Sequence, residues 1–156
     1  MLQAIVVAKS YSWTEPLRGI FYGPGSIRTA LPKLLAILGA KKALVVTTAL
    51  SMTRCNILKE RNAYGATFYE IGQHAPIAGI RNGLKQFKDV GADVIVSVGG
   101  GSPVDAAKAI VYFQQQDPGG SSFKQTEIPA TRSAAEYTAS AGCTDEGGCK
   151  ASQTSS

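Results

Sequence analysis

The stretch VIVSVGGGSPVDAAKAI, residues 94–110, decides the fold, and the rest of the chain is read outward from it. Val94, Ile95, Val96 and Val98 make a short apolar run rich in β-branched side chains, the composition of a buried parallel strand rather than a helix. Gly99, Gly100 and Gly101 end the run, free the backbone for positive φ and leave no Cβ in the way of an incoming group. Ser102 stands where an N-cap belongs, Pro103 fills the first helical position and Asp105 completes an S-x-x-D capping box, so a helix is predicted to begin at Ser102. A helix N-terminus opening just past a strand offers unpaired amides and about half a positive charge, which suits a phosphate. Capping alone accounts for Ser102, Pro103 and Asp105. A strand-to-helix turn needs one glycine at most, however, and three in succession favour a phosphate site. Neither common phosphate fingerprint is present: Val104 stands where G-x-G-x-x-G has its third glycine, and no G-K-[ST] follows.

Working outward, residues 43–47 (ALVVT) read as a second buried strand, whose end would approach the adenosine half of a dinucleotide in a doubly wound sheet. Residues 2–8, 18–22, 66–71 and 127–130 are further strand candidates. Leu31, Leu34, Leu35 and Leu38 fall at helical spacing after Ser26 or Thr29 as cap, and Gly39 closes that helix. Residues 50–62 form a second helical stretch with Ile57 and Leu58 inward, and Gly65 ends the turn that follows it. Ile77, Ile80, Leu84 and Phe87 mark an amphipathic helix over 76–88, closed by Gly91. Strand and helix alternate, the pattern of an α/β, Rossmann-like parallel sheet with helices on both faces. One domain over residues 1–146 is expected, with a turn at 117–122 (DPGGSS). The tail 147–156 (GGCKASQTSS) has no apolar periodicity and reads as disordered.

With 44% hydrophobic residues in 156, the chain can bury a core of ordinary domain size. No apolar run nears the roughly 20 residues that span a bilayer, and the N-terminal MLQAIVVAKSYSW lacks the charged n-region of a secretory signal. The net charge of +5 is scattered over the sequence rather than clustered, which argues against nucleic acid as partner. Cys55, Cys143 and Cys149 lack C-x-x-C spacing and read as free thiols in a reducing cytosol, so a cytoplasmic location is expected. His74, the single histidine, falls in a loop at a strand's carboxyl end and reads as a solvated residue.

The GGGSPVDAAKAI run resembles the GGGSxxDxxK signature of the iron-containing alcohol dehydrogenases and their metal-independent relatives, the maleylacetate reductases. Residues 20–27 (IFYGPGSI) resemble the family's FGxGxI segment, 41–48 (KKALVVTT) its first nucleotide-binding strand and 128–138 (IPATRSAAEYT) its IPTTxSAAExT segment. These matches keep the family's order and cover residues 18–147. The resemblance implies an NAD or NADP site in which Gly100, Gly101 and Ser102 hold the pyrophosphate, with Gly99 and Asp105 of the same signature also among the cofactor-binding residues. Thr48 would lie near the adenosine ribose, and Thr131 and Ser133 near the nicotinamide.

Many NAD-preferring members carry an Asp where this chain has Thr48, which cannot repel a 2′-phosphate and equally suits a helix cap. Ala130 replaces a usual Thr, and Arg132 stands where the family mostly has a small or apolar residue; such an Arg must reach solvent, a carboxylate or a phosphate. The resemblance also implies hydride transfer between an alcohol or aldehyde and NAD(P), and a homodimer formed through the N-terminal strands. The family's helical second half, which supplies an Asp and three His for a divalent iron or zinc, has no counterpart in these residues. With one histidine, no metal ligand is assigned and the metal is expected not to be bound by the family's ligands. Two functions stay open: the cofactor-binding domain of an alcohol dehydrogenase-like oxidoreductase, or a truncated, catalytically inactive nucleotide-binding or docking module.

Overall fold

The computed structural model describes residues 21, 23–48, 58–59, 62–71, 75–116, 124–129, 140–144 and 150–154. Among them the elements run α1 (Ile27–Leu38), β1 (Ala43–Thr47), β2 (Tyr64–Phe68), α2 (Ile77–Asp89), β3 (Val94–Gly99), α3 (Gly101–Gln116), β4 (Lys124–Pro129), β5 (Ser140–Thr144) and β6 (Lys150–Thr154). The expected strands at 2–8 and 18–22, apart from Phe21, which is in no strand, and the turn at 117–122 lie outside the described residues.

Residues 1–40 form one compact unit and 41–156 another. In the first, α1 ends as its Gly39 suggests: φ is +60°, and the Gly39 and Ala40 amides return to the carbonyls of Ala36 and Leu35. Ser26 occupies the N-cap position, but its side chain makes no capping bond; instead the Thr29 hydroxyl donates to the Ser26 carbonyl at 3.1 Å.

The second unit is built on a four-stranded sheet, parallel throughout, in the order β2-β1-β3-β4. Every residue of β1 and β3 is buried, so these strands expose neither face, as interior parallel strands must not. Leu44 and Val46 of β1, Phe68 of β2 and Ile95 of β3 pack with Ile80 and Phe87 of α2 and with Ala106, Ala107, Ala109 and Ile110 of α3. Each large aliphatic buried this way contributes about 1.5–3 kcal/mol relative to exposure. The alanines let α3 lie close against the strands. Leu58 and Lys59, helical residues of the β1-to-β2 connection, belong to the crossover that right-handedness assigns to the opposite face, and Leu58 is buried. The fold is therefore α/β, a parallel sheet with three helices among the described residues, as its sequence pattern predicts.

At the amino edge of the sheet the Asp93 carboxylate accepts the backbone amides of Lys41, at 2.8 and 3.1 Å, and Lys42, at 2.8 Å. The Asp93 amide in turn donates to the Lys42 carbonyl at 2.9 Å. These bonds set β1 and β3 in register before either strand begins.

Two expectations need correction. The strand expected at 66–71 begins at Tyr64 and ends at Phe68, and Gly65 lies inside it. Asn62, at φ +57°, makes the left-handed turn expected of Gly65, with the Ala63 amide returning to the Leu58 carbonyl. Gly65 serves contact instead, since a Cβ there would come within 2.9 Å of the Ala43 carbonyl. The tail read as disordered over 147–156 contributes β6, antiparallel to β5 from Ser140↔Thr154 to Thr144↔Lys150. A polar segment without its own apolar pattern is held there by ladder bonds to β5, whose Ala141 and Cys143 are anchored in the core cluster.

Candidate functional site

The sheet order creates one topologically distinct place. From β1 the chain crosses to β2 on one side, then returns past β1 to β3 on the other, so connections diverge between β1 and β3. Open α/β sheets bind ligands outside the carboxyl ends of strands at such a switch point. Here those ends carry Thr48, directly after β1, and Gly99 with Gly100, at the end of β3; the register pairs Thr47 with Val98.

Gly99 adopts φ +145°, and a Cβ on it would meet Pro103 Cγ at 2.9 Å. Conformation and space thus both exclude a side chain there. The tight turn brings the strand straight into α3, which begins at Gly101 rather than after Ser102. The Gly100 carbonyl accepts the Val104 amide at 3.5 Å, which makes Gly100 the N-cap. Ser102 is therefore a first-turn residue and not the cap. Pro103 sits at the third helical position, where its missing N–H costs nothing because first-turn amides have no acceptor within the helix. Gly101 and Ser102 are partly exposed and stand at the positive end of the helix.

Asp105 does not close a capping box. Its carboxylate accepts the backbone amide of Gly142 in β5, and burial pushes its pKa above the ordinary carboxylate range against the opposing pull of that bond and of Lys108. The buried Cys143 thiol is raised as well, first by burial and then by the Asp105 charge, so it is a packing residue with little thiolate.

The structure thus brings Thr48, Gly99, Gly100, Gly101 and Ser102 together at one edge and turns Asp105 toward the β5–β6 hairpin. Thr131, Arg132, Ser133 and His74 lie outside the described residues; Pro129, just upstream, pairs with Gly99. Two polar groups beneath the edge were not singled out by sequence. The Thr47 hydroxyl donates to the Val98 carbonyl at 2.8 Å, tying β1 to β3 just below the glycines. The Ser97 hydroxyl is fully buried without a hydrogen-bond partner among the described residues. A small hydroxyl within a β-branched run was the only signal for either. Among the described residues no three His, Cys, Asp or Glu side chains gather as a metal site.

The sequence profile of the iron-containing alcohol dehydrogenases matches residues 18–156. The chain belongs to that family. Maleylacetate reductase 2 of Cupriavidus pinatubonensis is 31% identical over 134 residues, 85% of this chain but 35% of that protein. The crystal structure of maleylacetate reductase from Rhizobium sp. strain MTP-10005 superposes with a TM-score of 0.76 at 27% identity, covering 98% of this chain and 40% of the other. Sulfoacetaldehyde reductase from Bifidobacterium kashiwanohense, solved in complex with NAD+, shares the fold with a TM-score of 0.76 at 17% identity, over 85% of this chain and 40% of its own. The chain thus spans little more than a third of the reductases it matches, and it aligns with the N-terminal part of the family.

Proposed function

We propose that these residues form the dinucleotide-binding region of an NAD(P)-dependent alcohol dehydrogenase or reductase. The observation that carries this reading is the placement of the Gly99–Gly100–Gly101 turn and the N-terminus of α3 at the switch point between β1 and β3. The pyrophosphate would accept hydrogen bonds from the Gly101 and Ser102 amides, with Gly99 and Gly100 allowing close approach and Thr48 beside the adenosine ribose. Thr131 and Ser133 complete the proposed set toward the nicotinamide. A bound nicotinamide supplies or accepts a hydride at its ring; the residues described here bind and orient it.

The family's divalent metal does not fit this chain. Its Asp and three His cannot be drawn from a sequence with one histidine, so no step through a metal is assigned. By itself the chain is proposed as a cofactor binder, with alcohol or aldehyde turnover belonging to the longer relatives. A homodimer through the N-terminal strands and a cytoplasmic location are parts of the same proposal; the free, packed Cys143 suits a reducing compartment.

Titrating the purified chain with NADH and NADPH, followed by nicotinamide fluorescence, tests the reading. Saturable binding at micromolar nucleotide, lost in Gly101→Val, is the expected result, and the preferred nucleotide reports what Thr48 permits. Absence of binding at millimolar nucleotide overturns it.

A further inference from the structure

Asp105 lies four residues into α3, about 6 Å along the axis from Gly101. Its carboxylate lies against β5. It accepts the Gly142 amide, and a Cβ on Gly142 would lie 3.5 Å from its Oδ2, so β5 passes directly beside the first turns of the helix.

The geometry of β5 makes this bond more than incidental. In an extended strand, amides two residues apart point the same way. Gly142 and Thr144 both direct theirs to the edge of β5 that β6 does not occupy: Gly142 donates to Asp105, and Thr144 donates to the Ala75 carbonyl at 3.3 Å. That edge would otherwise be an open ladder. A carboxylate on α3 and a carbonyl from the segment after β2 thus act in place of a third strand. Ala75 is held at φ +46° and buried while doing so, a conformation that a non-glycine residue takes only when its surroundings impose it. Ala141 and Cys143, on either side of Gly142, pack into the core against α3.

We propose that Asp105 is a positioning residue for the nucleotide site: by accepting the Gly142 amide it fixes the β5–β6 hairpin against the helix that carries the glycine turn, and tight dinucleotide binding requires that attachment. This rests on the nucleotide reading above. The carboxylate touches no ligand; it acts through the hairpin.

Asp105→Ala and Asp105→Asn separate this role from simple stabilisation, because Asn keeps an oxygen where the Gly142 amide needs an acceptor. The measurements are amide hydrogen exchange of the unliganded full chain and NADH titration of the same samples. In the Ala variant the Gly142 and Thr144 amides are expected to exchange at least about tenfold faster and NADH to bind about tenfold more weakly. The Asn variant restores most of both. Faster exchange in Asp105→Ala with unchanged NADH affinity overturns the positioning role while leaving the nucleotide site standing, as does an Asn variant that binds as poorly as Ala. A wild-type chain that binds no NADH overturns both readings together. Should the Ala variant fail to fold, the decision falls to Asn alone: loss of NADH affinity with wild-type exchange at Gly142 overturns the proposal, and retention of both supports it.

Discussion

The two edges of the parallel sheet are finished in opposite ways. At the amino edge one carboxylate, Asp93, gathers the amides of Lys41 and Lys42 and returns its own amide to the Lys42 carbonyl, so the polar groups where β1 and β3 begin are satisfied within the protein. At the carboxyl edge the same two strands end in Thr48 and a run of glycines, and the first-turn amides of α3 have no acceptor in their own helix. An edge closed by its own side chains has no use for a ligand. An edge left with donors at a helix N-terminus offers them to an anion, and that is the edge where the proposed nucleotide site falls.

The largest effect on this contrast is expected from Gly99→Val. Both the φ of +145° and the 2.9 Å approach to Pro103 Cγ forbid the new side chain, so the turn must rebuild. Chemical denaturation should show a loss of about 2–4 kcal/mol, and nucleotide binding should disappear with it. Asp93→Ala acts on the other edge and should be selective. Losing the acceptor for the Lys41 and Lys42 amides costs about 1–2 kcal/mol, discounted because the site is solvent-exposed, while NADH affinity per folded molecule stays as in the wild type. A matching loss of affinity would show that the edges are not independent.

The smallest effect concerns pH. Burial raises the folded-state pKa of Asp105, with Lys108 and Cys143 as its titratable neighbours. A raised carboxylate contributes stability that is complete at pH below its unfolded value and lost as pH climbs through the folded value. Asp105→Asn has no such loss. Its melting temperature relative to wild type should therefore rise from pH 4 to pH 7, by a few degrees at most for a chain of this size. A difference that shrinks over that range would contradict the assigned burial.

Much of this fold was legible because its signals are local. The run from Val94 to Val98, the glycines after it and the closing residues Gly39 and Gly91 each announce an element within a few positions, and each lies where expected. What was not legible depends on partners far along the chain. Asp105 has the spacing of a capping box with Ser102, yet Gly142 lies beside its carboxylate and Gly100 caps the helix. The KASQT segment of β6 has no strand pattern and acquires one only by pairing with β5. Asn62 and Gly65 exchange the roles their types suggest, because the approach of Ala43 demanded the smaller residue within the strand. For the candidate site itself, the glycines and Thr48 were readable as a pair of strand ends, whereas the Thr47-to-Val98 bond required knowing that those strands are neighbours.

The pairing of β1 with β3 joins residues separated by 51 positions at both ends, through Asp93 to Lys42 and Thr47 to Val98. Such contacts repay the entropy of loop closure only after the intervening β2 and α2 have been accommodated, which places them among the slower events of folding. The switch point does not exist before then. Any ligand it takes is therefore a ligand of the completed chain alone, and at a hundred times its dissociation constant would add about 2.7 kcal/mol to the folded state. For this molecule nucleotide occupancy and the completion of folding would be one equilibrium, seen from two sides.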